Sequence, residues 1–144
     1  MAKIKHIAIT SHDQQKTAEF YVKTFGMQEV WRHRAAGNPN KWGIYLSDGY
    51  INLAILPGRE GAPEGINHFG FEIDDIEATA KLAATAGATQ LPEATPQDGR
   101  FAEAFIKDPV GTRVDLSTVG WRTEPADSPD VLALKAEAAA AGVR

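Results

Sequence analysis

Ile4-Lys5-His6-Ile7-Ala8-Ile9-Thr10 decides the fold, because the chain carries the same pattern twice. The stretch alternates with the period of two that marks a β-strand. Its second copy is Ile66-Asn67-His68-Phe69-Gly70-Phe71-Glu72-Ile73, with His68 standing 62 positions after His6. Successive strand residues point to opposite faces. Ile7 and Ile9 therefore share one face of the first copy, and Phe69, Phe71 and Ile73 share one face of the second. Each opposite face carries a histidine followed two residues later by a small residue, Ala8 or Gly70, which leaves room beside the imidazole.

The flanking sequence repeats as well. After the first copy, Ser11-His12-Asp13 offers a helix cap. Thr17, Phe20, Tyr21, Thr24 and Phe25 recur at helical spacing, and Gly26 ends the run. Strands are expected at Gln28–Arg34, Trp42–Leu46 and Tyr50–Leu56, with a loop over Ala36–Asn40 and a hairpin turn at Asp48-Gly49. After the second copy, Asp74-Asp75 caps a helix through Ile76, Ala80, Leu82 and Ala83 that ends at Gly87. Strands follow at Thr89–Leu91, Phe101–Ile106 and Thr112–Thr118, with a polar loop over Pro92–Arg100 and a turn at Asp108-Pro109-Val110-Gly111. Gly49 and Gly111 are 62 apart, Asn52 and Asp115 are 63 apart, and Gly26 and Gly87 are 61 apart. Offsets that agree within a residue indicate an internal duplication.

The expected fold class is therefore α+β: two βαβββ modules in tandem that curl a mixed sheet around a pocket. A single domain covers residues 1–120, with modules at 1–57 and 66–119 and a Pro/Gly-rich linker at 58–65. Residues 121–144 form an extension in which Ser128-Pro129 opens a short helix through Val131, Leu132, Leu134 and Ala138.

Composition narrows the function. The net charge of −4 argues against a nucleic acid or an anionic membrane as partner, because phosphate binding needs a basic surface. With no cysteine, neither a disulfide framework nor a thiolate metal site can form. No apolar run approaches the roughly 18 residues of a membrane span. Met1–His6 lacks the apolar stretch of a signal peptide, so a soluble cytoplasmic protein is expected.

Strand alternation puts His6, Asn52, His68 and Asp115 on the faces turned away from the helices, at matching places in the two halves. Two imidazoles and a carboxylate are sound ligands for Fe, Mn, Ni, Co or Zn, and an asparagine oxygen is a weaker fourth. A carboxylate on an inward strand face is costly unless it is paired or metal-bound. Arg113, two residues away, can pair with Asp115 without any metal, and a strand histidine is often only a hydrogen-bonded residue.

Four stretches, Ile4–Ile9, Ala18–Gly26, Ile66–Phe71 and Lys107–Leu116, resemble the vicinal oxygen chelate superfamily. That superfamily includes glyoxalase I, methylmalonyl-CoA epimerase, extradiol dioxygenases, fosfomycin-resistance transferases and bleomycin-binding proteins. The likeness covers roughly residues 1–120 and is specific for the fold rather than the reaction. It implies that His6, His68 and Asp115 are metal ligands, with Asp115 where Glu is usual. It also places Asn52 where glyoxalase I-like members carry a Glu or Gln ligand, and that Glu doubles as their base.

The resemblance implies a divalent-metal enzyme acting on a small molecule chelated through neighbouring oxygens, by isomerase, lyase or epimerase chemistry. An Fe(II) extradiol-type dioxygenase and a non-catalytic antibiotic-binding protein are the alternatives. The intact trio argues against the last. Glu72, Glu103 and His33 are candidate bases, as is a dissociated Asp115; Arg32, Arg34, Arg100 and Arg113 are candidates to hold an anionic substrate. His12 reads as a helix-start residue. A homodimer is expected.

Overall fold

The computed structural model describes residues 1–94 and 102–142. The first module runs β1 (Lys3–Ser11), α1 (Gln14–Phe25), β2 (Gln28–Ala35), β3 (Asn38–Ser47) and β4 (Asn52–Pro57). The second repeats that order as β5 (Gly65–Glu72), α2 (Ile76–Thr85), β6 (Gln90–Ala94), β7 (Ala104–Lys107) and β8 (Arg113–Ser117). A final helix, α3, spans Pro129–Ala140.

One open mixed sheet holds all eight strands in the order β2-β3-β4-β1-β5-β8-β7-β6. Within each module the first strand lies parallel to the last, β1 beside β4 and β5 beside β8. The modules meet where β1 and β5 pair antiparallel. The strands that carry His6 and His68 are therefore the two central ones.

The helices begin and end for local reasons. The Asp13 carboxylate accepts from Lys16 N at 3.0 Å and caps α1. Gly26, at φ 69°, closes α1 with its N–H on Val22 O. Asp75 caps α2 through Ala78 N, and Ser128 caps α3 through Val131 N with Pro129 just inside the helix. The apolar strand faces pack as the alternation requires. Ile7, Ile9, Ile44, Leu46, Leu53 and Ile55 meet Ala18 and Tyr21 of α1. Phe69, Phe71, Val114 and Leu116 meet Ile76 of α2.

Several boundaries move. The loop expected over Ala36–Asn40 is a two-residue turn at Ala36-Gly37, and Asn38–Asn40 belong to β3. Gly37, at φ 77°, supplies the left-handed backbone this tight hairpin needs, so Pro39 and Asn40 are free to extend. β6 runs on to Ala94 and takes Pro92 and Glu93 out of the expected loop. β7 is described from Ala104; the expected strand start at Phe101 and the rest of the loop, with Arg100, fall outside the described residues. Among the described residues, no helix is long and apolar enough to cross a membrane.

Candidate metal centre

The seam between β1 and β5 brings the expected trio together. His6, His68 and Asp115 each offer one donor atom, and these atoms all lie within 4.8 Å of one another. All three are buried, at 4%, 7% and 5% exposure. The two imidazole centroids are 5.4 Å apart, and His68 Nε2 stands 3.2 Å from Asp115 Oδ2.

Each ligand candidate is oriented by a neighbour. His6 Nδ1 lies 3.3 Å from Asn52 Oδ1, while Asn52 Nδ2 donates to Arg122 O at 2.7 Å. The second bond fixes the amide, so the oxygen faces His6 and Nδ1 is the protonated nitrogen. His68 Nδ1 likewise meets Asn67 Oδ1 at 2.7 Å. His6 is thereby left with Nε2 as a free lone pair, the arrangement in which histidine binds metals, while His68 turns its Nε2 to Asp115 Oδ2, where an ion would replace the hydrogen bond between them. Arg113 Nε holds Asp115 Oδ1 at 2.8 Å and leaves Oδ2 turned toward His68.

The protonation states suit a cation. Burial, followed by the proximity of His68, lowers the His6 imidazole from 6.5 to about 4, so it is neutral at pH 7. Burial acts to raise the Asp115 carboxyl, but the hydrogen bonds and charges of His68 and Arg113 outweigh it and hold the group below its ordinary value. A divalent ion bonded at about 2.1 Å spans roughly 3 Å between adjacent donors. The trio fits such an ion after a closure of up to about 2 Å.

Trp121, at the start of the extension, lies against this centre. Its ring stacks on His6 at 4.9 Å between centroids with 2° between planes. A Cβ on Gly70 would lie 2.7 Å from two Trp121 ring atoms, so glycine is what admits the indole. The signal available in the sequence was Gly70 itself, a strand-interior glycine.

The other expected site residues are placed less centrally. Asn52 is on the expected face, hydrogen-bonded to His6. Glu103 accepts from the Thr118 hydroxyl and backbone N–H at the far end of β7 and β8. Glu72 shares the face of His68 but lies four residues along β5, about 13 Å away at strand rise. A Cβ on Gly120 would meet its Oε2 at 2.5 Å. His33 sits on β2 with Nδ1 on Arg34 O at 2.8 Å and Nε2 on Tyr45 Oη at 3.0 Å. Arg32 pairs with Glu29, and Arg34 Nη1 donates to Pro39 O. His12 precedes the α1 cap, its N–H on Glu64 Oε1.

Comparison with known proteins agrees with the fold. Methylmalonyl-CoA epimerase from Mycobacterium tuberculosis superposes with a TM-score of 0.62 at 17% identity, covering 90% of this chain and 91% of that one. A hypothetical protein from Bacillus halodurans gives 0.62 at 19% identity, covering 88% and 99%. A mutant of 4-hydroxymandelate synthase from Streptomyces coelicolor gives 0.63 at 20% identity; there 88% of this chain matches only 40% of the longer enzyme. At such identities these likenesses show the fold. No curated protein sequence matches the chain. Residues 3–116 match one protein family, and the chain accordingly belongs to the Glyoxalase/Bleomycin resistance protein/Dioxygenase superfamily.

Proposed function

We propose that this chain is a divalent-metal-dependent enzyme that binds a small oxygen-rich molecule through two neighbouring oxygens and carries out isomerase, epimerase or lyase chemistry. One observation carries the reading: His6, His68 and Asp115 converge, with the Nδ1 of each imidazole held by an asparagine oxygen. A metal bound there supplies Lewis-acid stabilisation of negative charge developing on the substrate oxygens.

The chain's own residues do the rest. Asn52 and Asn67 hold the ring tautomers, and Arg113 aims the Asp115 carboxylate. Trp121 shields one face of His6 from water. In this reading Asn52 orients a ligand rather than serving as one, since its oxygen is engaged by His6 Nδ1. For proton abstraction Glu103 is the better-placed carboxylate. It stands just before β7, whose Phe105 is level with Asp115. Glu72 and His33 are more remote. The homodimer belongs to the same proposal, supported by the aromatic cluster of Phe20, Tyr21 and Phe25 on α1, two of whose rings are largely exposed.

The test is metal uptake followed by proton exchange. Wild-type protein takes up one Mn²⁺ or Co²⁺ per chain, and His6→Ala, His68→Ala and Asp115→Ala each weaken uptake at least about a hundredfold. The loaded protein then exchanges the C–H beside a carbonyl in a panel of 2-oxo acids and acyl thioesters in D₂O, followed by NMR. Wild-type protein that takes up no metal would sink the proposal. Two histidines and one carboxylate also form the ligand set of Fe(II) oxygenases. Oxygen consumption with a catechol panel after anaerobic iron loading, with no proton exchange, would favour that second reading.

A further inference from the structure

The face of the second module beyond the trio is open and positively charged. A cavity of about 690 Å³ lies where the start of β5 parts from the β7–β8 hairpin, and it reaches His68. Ile66 and Phe105 give it apolar walls, and Lys107 and Arg113 give it charge. Phe105 is paired with Asp115 and Lys107 with Arg113 across β7 and β8, so all four share the face of the trio.

The two cations differ from the surface charges elsewhere. Arg113 gives only its Nε to Asp115; its guanidinium lies over the Phe105 ring at 4.2 Å, and its Nη nitrogens make no hydrogen bond among the described residues. Lys107 has no ion pair or side-chain hydrogen bond among the described residues. The two nearby carboxylates are committed elsewhere. Glu93, opposite Phe105, accepts from Gln90 Nε2, and Asp108 accepts the N–H groups of Val110 and Thr112 inside the hairpin. Those hairpin N–H groups are thus unavailable for the backbone cradle that phosphate sites use. What remains is a planar guanidinium and an ammonium, suited to a carboxylate.

We propose that this groove receives a second, distal carboxylate of the substrate on Lys107 and Arg113, with the substrate's methylene spacer against Phe105 and Ile66. The inference rests on the metal-centre reading for where the other end of the substrate lies. Arg113 Nε stands 2.8 Å from Asp115 Oδ1 and Lys107 is paired with Arg113 across the strands, so both cations lie beside the trio, within the reach of a short diacid.

Two 2-oxo acids that chelate through the same neighbouring oxygens test it. 2-Oxoglutarate carries a distal carboxylate, and 2-oxopentanoate ends in a methyl group. With Mn²⁺-loaded protein, read by water-proton relaxation, 2-oxoglutarate binds about tenfold tighter. Lys107→Met keeps the apolar stem and removes the charge. It cuts the preference to about threefold or less and leaves 2-oxopentanoate unchanged. Equal affinities in the wild type, or a preference that survives Lys107→Met, would overturn the proposal. A second arm needs no metal. Glutarate added to metal-free protein shifts the amide resonances of Gly111 and Thr112 in the wild type and not in Lys107→Met; no shift in the wild type overturns the proposal. Failure of the metal centre is separately visible as absent Mn²⁺ uptake, in which case the glutarate arm decides the groove alone.

Discussion

The two modules have the same strand order, yet the face that carries the histidines is finished differently in each. In the first, Ala8, Tyr45, Ala54 and Val30 form a buried apolar cluster with Trp31 and Leu56. The chain's own extension then runs along that half. Trp121 stacks on His6, Arg122 lies over the Trp31 ring at 4.8 Å, and Ala126 N–H bonds to Val30 O. Asp130 at the start of α3 accepts from Arg34 N at 2.8 Å. In the second module Trp121 reaches Gly70, but beyond it, among the described residues, the face holds the open groove with Lys107 and Arg113. Of the two equivalent faces, the extension covers the first and, among the described residues, leaves the groove of the second open.

The comparison also corrects the alignment of the repeats. His6 pairs with Asn52 across β1 and β4, and Ala8 with Ala54. In the second half Gly70 pairs with Asp115, and Phe69 with Val114, which puts His68 level with Arg113. By register, then, Asn52 corresponds to Arg113, and Asp115 to Ala54. The histidine of each half keeps a polar partner beside it, but only the second half places a carboxylate one pleat further, diagonal to its histidine.

The largest expected effect probes the covered half. His6 titrates near 4 in the folded chain and near 6.5 in the unfolded one. Between these values the unfolded chain binds more protons, so stability is full above about pH 6.5 and falls as the pH drops toward 4. The loss for metal-free protein is about 3 kcal/mol across that window, measured by urea denaturation at stepped pH. His6→Gln flattens the profile there. Trp121→Ala, which uncovers one face of the ring, flattens it in part. A profile that Trp121→Ala leaves unchanged would mean that the extension does not set the burial of His6.

A smaller effect compares the two orienting asparagines. Asn52→Ala and Asn67→Ala each free a ring to rotate and to choose its tautomer. Each is expected to weaken Mn²⁺ binding about 10- to 100-fold without removing it. Asn52 is fully buried and tied to Arg122 O, so its loss also leaves a carbonyl without its donor, and the thermal midpoint falls. Asn67 is exposed, and its replacement leaves the midpoint near wild type. Equal losses of stability in both variants would erase the contrast between a covered and an open half.

The fold was legible because a duplicated chain supplies its own alignment: alternation at Ile4–Thr10 and Ile66–Ile73, caps at Asp13 and Asp75, and glycines closing the helices. Alternation put His6, His68 and Asp115 on one face together with Asn52, and the resemblance singled out the trio as ligands. The exact register was not legible, because a slip of one residue between Gly49–Asn52 and Gly111–Asp115 leaves two same-face partners equally plausible on paper. Trp121, Asn67 and Lys107 were illegible for another reason. Their roles come from contacts across the sheet or from an irregular segment, and neither leaves a periodic trace.

The smallest effect tests whether the two halves are separable. Ser128 is fully buried, and its hydroxyl accepts from Val131 N at 3.2 Å to start α3. Ser128→Ala removes that cap and costs about 1 kcal/mol. Since α3 packs on β2, at the outer edge of the first module, the loss belongs to the extension and its cover. Amide hydrogen exchange in residues 121–142 should speed up about fivefold, while β5, β7 and β8 keep wild-type protection. Glutarate binding in the groove should not change, because among the described residues no hydrogen bond, ion pair or ring contact joins Lys107 or Arg113 to the extension. If glutarate affinity falls together with α3 protection, the cover on the first half and the groove on the second are one cooperative unit, and the division drawn between them does not hold.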